Sequence, residues 1–413
     1  MNFKSLAHPR FRKYVSLGIF PKLLLAPAAL LILIFFCLAK PFVQFRLYRM
    51  VDSRIGHLAT NTEIIRLRTF KHNQTASKKE ILVYCSENRN CSNNALRRLF
   101  FRKSLHLKGH LAWLTLRGSS ILKPFNSFAS VGNQNLAVDQ DGILARGFPL
   151  LEFSNDELLC GQNFLKSLGT DPKKIVCLHV RDSAYLTHMS GQEITKHNYR
   201  DTEIKTYAAA AEALAEMGYT VFRMGAIVKE PLVSKHPRVI DYATNGMRTE
   251  FLDVYLGANC AFTVSVGSGW DSVPLVFCRP RLFVNFLPLF APSALTLSLT
   301  VIPKLLIDKK TNELLTLNEI INRNIATPAN TKAYEEAGVE IRDLSSEELV
   351  EAVTEMAARV EGTFVETEEQ KQMQQKLKHI FTNDPRLQPS PGYYPIRAQF
   401  ASCFLSRYPN FLD

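Results

Sequence analysis

Residues 174–186 read KIVCLHVRDSAYL, and this stretch decides the fold. Ile175 to Val180 is a short apolar run without alternation, as in a strand buried on both faces of a parallel sheet. It closes on His179, Arg181 and Asp182. Further along, Asp201 or Thr202 can cap a helix in which Ile204, Tyr207, Ala208, Ala211, Leu214 and Ala215 recur at spacings of three and four, with Gly218 as its stop. Tyr219–Met224 reads as a second strand, Val239–Tyr242 as the end of a third and Phe251–Ala258 as a helix. Ala261–Val266 follows as a fourth strand, then a Gly267-Ser268-Gly269 turn, a helix over Trp270–Phe277 and a fifth strand at Arg281–Phe286. Strand and helix alternate throughout, which predicts an α/β fold with a doubly wound parallel sheet and right-handed crossovers.

Toward the N-terminus, Ser154–Leu168 reads as a helix ending at Gly169, and Ser127–Phe148 as loops. Phe42–Met50 suggests a strand, followed by Arg54-Ile55-Gly56-His57-Leu58 and a helix through Arg68, the opening of a second nucleotide-binding-like half. Further strands are expected at Ile81–Cys85 and Ile121–Lys123, with a helix at Asn94–Lys103. Asn330–Arg359 and Glu366–Phe381 are charged, amphipathic and helix-rich, and the Pro-rich Asn383–Tyr394 leads to an aromatic tail, FLSRYPNFLD, expected to pack on the body. The expected divisions are 1–41, 42–170, 171–305 and a helical C-terminal extension over 306–413.

The 413 residues are 46% hydrophobic and 21% charged, which excludes disorder and a disulfide miniprotein. Residues 1–110 hold 20 Lys/Arg against 4 Asp/Glu, whereas 111–413 hold 30 against 34, so the net +12 is +16 followed by −4. The excess surrounds the one strongly apolar stretch, LLLAPAALLILIFFCLA at Leu23–Ala39, rather than a folded body, which argues for a membrane surface and against nucleic acid. Seventeen residues rise about 25 Å as a helix, the short end of what spans a bilayer. The alternative is a buried core helix, which would need protein on every side because it has no polar face. Lys4, Arg10, Arg12, Lys13 and Lys22 precede the stretch and Lys40, Arg46, Arg49 and Arg54 follow it, so charge does not orient it and also suits a helix lying in an anionic leaflet. On the anchor reading, a chain without residues 1–41 should stay soluble and folded. The eight cysteines show neither zinc spacing nor a disulfide framework and read as reduced thiols, although Cys85 and Cys91 could pair in an oxidising compartment. Asn73-Gln74-Thr75 and Asn90-Cys91-Ser92 fit the glycosylation pattern, which matters only for a lumenal body.

In an open parallel sheet, ligands bind at the carboxyl ends of the strands. Polar residues there form a set: His179, Arg181 and Asp182; Arg223 and Gly225; Asp241 and Tyr242; Ser265, Gly267, Ser268 and Gly269. Arg181 offers a planar fork for a pyrophosphate, and a glycine turn opening a helix lets backbone N–H groups approach phosphate. Singly, each has a plain structural reading: an ion pair, a core histidine, a turn, a loop cap or packing. Recurrence at four successive strand ends favours a nucleotide-diphosphate site. Asp139-Gln140-Asp141 has the D-x-D form that can hold a divalent metal, but Asp141-Gly142 is also a plain turn signal, and no metal is expected. His57 could take a proton from an acceptor hydroxyl, or simply cap a helix. No P-loop, dinucleotide-binding glycine fingerprint or nucleophile elbow is present.

The runs RIGHLATNTE (54–63), CLHVRDSAYL (177–186), NYRD (198–201), GYTVFRMG (218–225), IDYA (240–243) and FLDVYLGANCAFTVSVGSGWDSVPLVF (251–277) resemble a bacterial glycosyltransferase family of surface-carbohydrate gene clusters. More distantly, His179-Val180-Arg181 resembles the H-x-R segment of fucosyltransferase-like GT-B enzymes. In those the arginine meets the donor diphosphate and an acidic residue follows a few positions on, whereas here Asp182 follows at once. The resemblance implies a GT-B-like pair of domains, with the acceptor on 42–170 and the nucleotide-sugar donor on 171–305. It also implies no bound metal and a body on the cytoplasmic face near a glycan or lipid-linked acceptor; His57 and Asp182 are the candidate catalytic groups. The competing expectations are a non-catalytic scaffold of a polysaccharide assembly system and a lumenal type II glycosyltransferase.

Overall fold

The computed structural model describes residues 19–87, 90–128, 138–192, 195–328 and 330–413. The chain divides into two compact units with the boundary between residues 135 and 136, earlier than the expected division at 170.

The first unit is built on three parallel strands in the order β1 (Gln44–Arg49), β2 (Glu80–Ser86), β3 (Leu105–Lys108). Helix α1 (Ile19–Ala39) precedes β1, and α2 (Ile55–Thr75) connects β1 to β2. Helix α3 (Asn94–Phe101) connects β2 to β3, its N-cap Asn93 accepting from the Leu96 N–H at 2.8 Å. Helix α4 (Gly109–Ile121) follows β3 and lies against α1. Glycine makes that approach possible, because a Cβ on Gly118 would sit 2.8 Å from Leu33 Cδ1. The expected strand at Ile121–Lys123 is instead the end of α4 running into a 3-10 turn over Lys123–Phe128.

The apolar stretch has two unlike faces. Ala29, Leu33 and Phe36 are buried, and Leu33 and Phe36 join Phe45, Leu47, Val83, Cys85, Ala112 and Phe128 in one core. The Phe36 and Phe45 rings stack at 4.2 Å. The opposite face is bare. Among the described residues no helix is long and apolar enough to cross a membrane, so the expected spanning helix is not supported. Instead, α1 is a structural part of its unit, because the unit's own β1 and α4 occupy one side of it. Lys4, Arg10, Arg12 and Lys13 lie outside the described residues. None of the eight cysteines is joined in a disulfide. Asn73 spends its side-chain amide on Glu80, accepting from its N–H at 2.7 Å and donating to its carbonyl at 2.8 Å, which works against a glycan there.

The second unit holds a seven-stranded parallel sheet. Helix α5 (Asn155–Ser167) begins with a Ser154/Glu157 capping box and leads to β4 (Ile175–His179). Helix α6 (Ala208–Glu216) leads to β5 (Thr220–Met224), with Gly218 at φ +89° making the turn between them. Then come β6 (Val239–Ile240), α7 (Glu250–Asn259) capped by Thr249, β7 (Phe262–Ser265), β8 (Arg281–Phe286) and β9 (Thr300–Pro303). The segment 306–413 is not a separate helical extension. Strand β10 (Leu305–Asp308) pairs antiparallel with β11 (Val339–Arg342), α8 (Ser346–Glu361) lies on α6, and α9 (Glu368–Asn383) precedes β12 (Gln399–Phe400), which extends the main sheet. The aromatic tail packs on the body as expected, with Phe400, Phe404 and Phe411 buried.

The strand order is β12-β9-β8-β7-β4-β5-β6. The chain starts at β4, moves outward through β5 and β6, then returns to lay β7 on the other side of β4. That reversal is the doubly wound arrangement expected from the sequence, and its switch point lies between β4 and β7, whose last residues, His179 and Ser265, are register partners.

Candidate functional site

Two loops leave the sheet at the switch point, Val180–Ser183 after β4 and Val266–Gly269 after β7. Arg181 Nη1 donates to Asp201 Oδ1 at 2.6 Å and to the His197 carbonyl at 2.9 Å. Its Nε and Nη2 have no protein partner among the described residues. Behind this pair, Lys304 Nζ donates to the Asp201 carbonyl at 2.6 Å and pairs with Asp343 at 2.7 Å. Burial raises the Asp201 carboxyl against the opposing pull of Arg181 and Lys304.

Arg200 reaches the same place from the 3-10 turn Thr195–Arg200 and donates from Nη2 to the Gly267 carbonyl. Its Nε is buried without a partner, and among the described residues no carboxylate lies within ion-pair distance of it. Arg200 therefore makes no direct ion pair among the described residues, although Asp201 and buried Asp271 lie close enough to feel its charge. The Nδ1 atoms of His179 and His197 are also buried without a partner. The His179 ring stacks on Trp270 at 5.7 Å and 11°.

Burial, and then the Arg223 and Arg181 charges, push the His179 pKa down to about 4. His179 is therefore neutral at pH 7. Because the folded value lies below the ordinary 6.5, the stability linked to this group is fully present above pH 6.5 and is lost as pH falls through about 4. NMR titration of the imidazole should show no protonation between pH 7 and pH 5, and His179→Phe should flatten that part of the acid limb of the melting profile.

The glycine turn spends two of its three N–H groups within the protein. Gly267 N–H donates to Ser265 Oγ at 3.3 Å, Ser268 N–H to the Asp271 carboxylate, and Trp270 N–H to Ser268 Oγ at 3.2 Å. The helix after it, Ser272–Val276, is a single turn. What the turn offers is a carbonyl that aims Arg200, and Gly267 at φ +80° is needed for it.

The rest of the expected set lies elsewhere in the second unit. Arg223 is fully buried, donating to Asp241 Oδ1 at 3.3 Å and to the Glu230 carbonyl at 3.1 Å, while Asp241 also accepts from Leu232 N–H at 3.0 Å. Tyr242, also buried, accepts from Thr249 N–H at 3.0 Å and reaches Asp253 at 3.3 Å. These three tie loops to the sheet. Gly225, at φ +155°, makes the turn after β5, where a Cβ would sit 2.4 Å from Val228. Asp182 accepts from Ala184 N–H at 2.9 Å and Lys229 N–H at 2.8 Å, one on each oxygen, so it staples two loops together. Asp139 spends both oxygens on Ile143 and Leu144 N–H at 2.9 Å each, the plain turn reading, and no cluster of metal-ligating side chains occurs among the described residues. In the first unit His57 opens α2, its Nδ1 3.4 Å from Asn61 Nδ2, and burial followed by the Arg54 charge lowers its pKa.

Sequence reasoning missed Arg200, Asp201 as an ion-pair partner, His197, Trp270 and Lys304. NYRD at 198–201 was visible as a motif but follows no strand, so a rule based on strand ends could not place it.

No protein-family model matches the chain, and no curated protein matches its sequence. Among solved structures, glycosyl transferase family 9 from Veillonella parvula superposes with a TM-score of 0.41 at 10% identity, covering 75% of this chain and 96% of that one. E. coli heptosyltransferase WaaC with ADP gives 0.31 at 10%, covering 63% and 91%. A UDP-N-acetylglucosamine 2-epimerase gives 0.29 at 10%, covering 79% and 98%. Superposition at these scores establishes neither a shared fold nor a shared activity.

Proposed function

We propose that the chain is a membrane-associated glycosyltransferase that moves a sugar from a nucleotide-diphosphate sugar to a surface-glycan or lipid-linked acceptor, with its body on the cytoplasmic face. The observation that carries this reading is Arg200. It is a guanidinium with no direct ion pair among the described residues and a buried Nε without a partner, held by the Gly267 carbonyl beside Arg181 at the switch point of a doubly wound sheet, where such folds bind phosphate-bearing ligands. Transfer requires stabilising the leaving diphosphate, for which Arg200 would supply charge and the remaining N–H groups of Arg181, itself paired with Asp201, would supply hydrogen bonds. The sequence motifs that resemble surface-carbohydrate glycosyltransferases narrow the reading from nucleotide binding to sugar transfer. In it, His57, neutral at pH 7, takes the acceptor proton, and the sugar, hexosyl or fucosyl, is left open.

The test is calorimetric titration of nucleoside diphosphates and nucleotide sugars into the full chain. Arg200→Ala should weaken the best ligand by about 1.5–3 kcal/mol, the typical worth of a charge-assisted bond, and Arg200→Lys should recover only part of it because the fork is lost. Arg181→Ala should cost as much and also destabilise the fold, because it strands Asp201 in a half-buried place. Unchanged affinity for every nucleotide in a folded Arg200→Ala protein would sink the assignment. A chelator should leave binding intact.

A further inference from the structure

We infer that α1 lies flat in the surface of an anionic bilayer, inserting the stripe Leu24, Leu31, Phe35 and Leu38 together with Phe42 just beyond the helix. The inference rests on the membrane-associated reading and names the lipid partner and the face that meets it. At 100° per residue these helical positions share one side of α1, and the spacings of seven, four and three keep them in line. Leu31 is 66% exposed, Phe35 57%, Leu38 72% and Phe42 85%, and Leu30 and Ile34 flank them, also exposed. No charged side chain occurs from Leu24 to Ala39, so half the helix circumference is unbroken apolar surface. The helix cannot turn this face inward, because Ala29, Leu33 and Phe36 already fill the core on the other side.

The apolar surface continues beyond the helix. Lys40 Nζ donates to Ser127 Oγ at 3.4 Å, which ties the end of α1 to the 3-10 turn after α4. Ile121 and Leu122, where α4 meets that turn, are themselves exposed. Exposed Lys40 and Lys123 flank the same end.

Charge selects the occupant. The first 51 residues carry eight Lys/Arg and no Asp/Glu, and residues 1–110 carry 20 against 4. An apolar stripe set in basic sequence matches acyl chains beneath anionic headgroups, where each basic residue adds to the attraction. A second copy of the same face would bring the like charges together.

The test uses the full chain with vesicles of phosphatidylcholine alone and of phosphatidylcholine with an equal part of phosphatidylglycerol. Co-sedimentation should be at least about tenfold stronger on the anionic vesicles and should weaken with salt. A Leu31→Glu/Leu38→Glu double variant, with both positions outside the core, should melt as the wild type does and lose vesicle binding at least about tenfold. If it does not fold, Leu31→Gln/Leu38→Gln replaces it. In Phe35→Trp, lipids brominated at shallow acyl positions should quench the indole. Equal binding to both vesicle types, unchanged binding by the folded double variant, or a vesicle-free dimer abolished by it would overturn the inference. Calorimetry on the same double variant separates the two readings. Retained nucleotide binding confines its defect to the lipid face, whereas a wild type that binds vesicles but no nucleotide defeats the transferase reading alone.

Discussion

Deleting residues 1–41 is expected to yield insoluble or non-cooperatively melting protein, not the soluble body that a dispensable anchor would leave. The deletion removes Leu33 and Phe36 from a core they share with Phe45, Leu47, Val83 and Phe128. Truncating a buried leucine or phenylalanine alone costs about 2–5 kcal/mol, and whole domains hold only about 5–15 kcal/mol in reserve. Losing the helix also uncovers the α4 surface around Ala112 and Gly118. Phe36→Ala in the full chain is the milder control and should lower the melting temperature of the first unit while leaving vesicle binding in place, since Phe36 faces inward. A soluble, cooperatively folded 42–413 fragment would show that α1 is an appendage after all.

Gly267→Ala is expected to abolish most nucleotide binding and to destabilise the second unit by about 2–4 kcal/mol. Two penalties add at one atom. The backbone sits at φ +80°, which alanine adopts only under strain, and the new Cβ would lie 2.7 Å from the ring of buried Phe286. Relief requires the turn to move, and with it the carbonyl that holds Arg200. A melting temperature lower by roughly 5–10 °C, with affinity weakened at least tenfold, is the expected pair of results. Gly269→Ala is the comparison. An equal loss in both variants would show general damage to the loop rather than loss of the Arg200 support.

The second unit's sheet was legible because a parallel strand buried on both faces is almost wholly apolar, as Ile175–Leu178 is and as Phe262–Val264 is apart from Thr263, and each ends in a recognisable break. Gly218 and Ser154 marked helix ends through φ and capping chemistry that any sequence displays. The unread parts have equally physical causes. Strand β3, LHLK, is four residues long at a sheet edge, too short to show a period. Strands β9 and β10 run together across Pro303-Lys304 without a glycine between them. Of the site, His179, Arg181 and Gly267 were legible from strand ends, but Arg223, Asp241 and Tyr242 occupy equivalent places and serve packing. Which strand ends face a ligand depends on where the chain reverses, and strand order is not written in any local pattern. Arg200 was invisible for the same reason, since a 3-10 turn 67 residues away from Gly267 brings it in.

The late position of β12 governs how the protein is born. Strand β9 is synthesised about a hundred residues before Gln399–Phe400, the segment that pairs with it. On the ribosome, the nascent sheet therefore carries an unprotected edge, with the hollow meant for Phe400, Phe404 and Phe411 standing open, until those residues emerge. Open edges of this kind invite pairing between neighbouring chains. A premature stop between α8 and β12 would thus release a chain whose switch point is complete and whose solubility is not. Its fate would be set by chaperones and proteases rather than by its binding site.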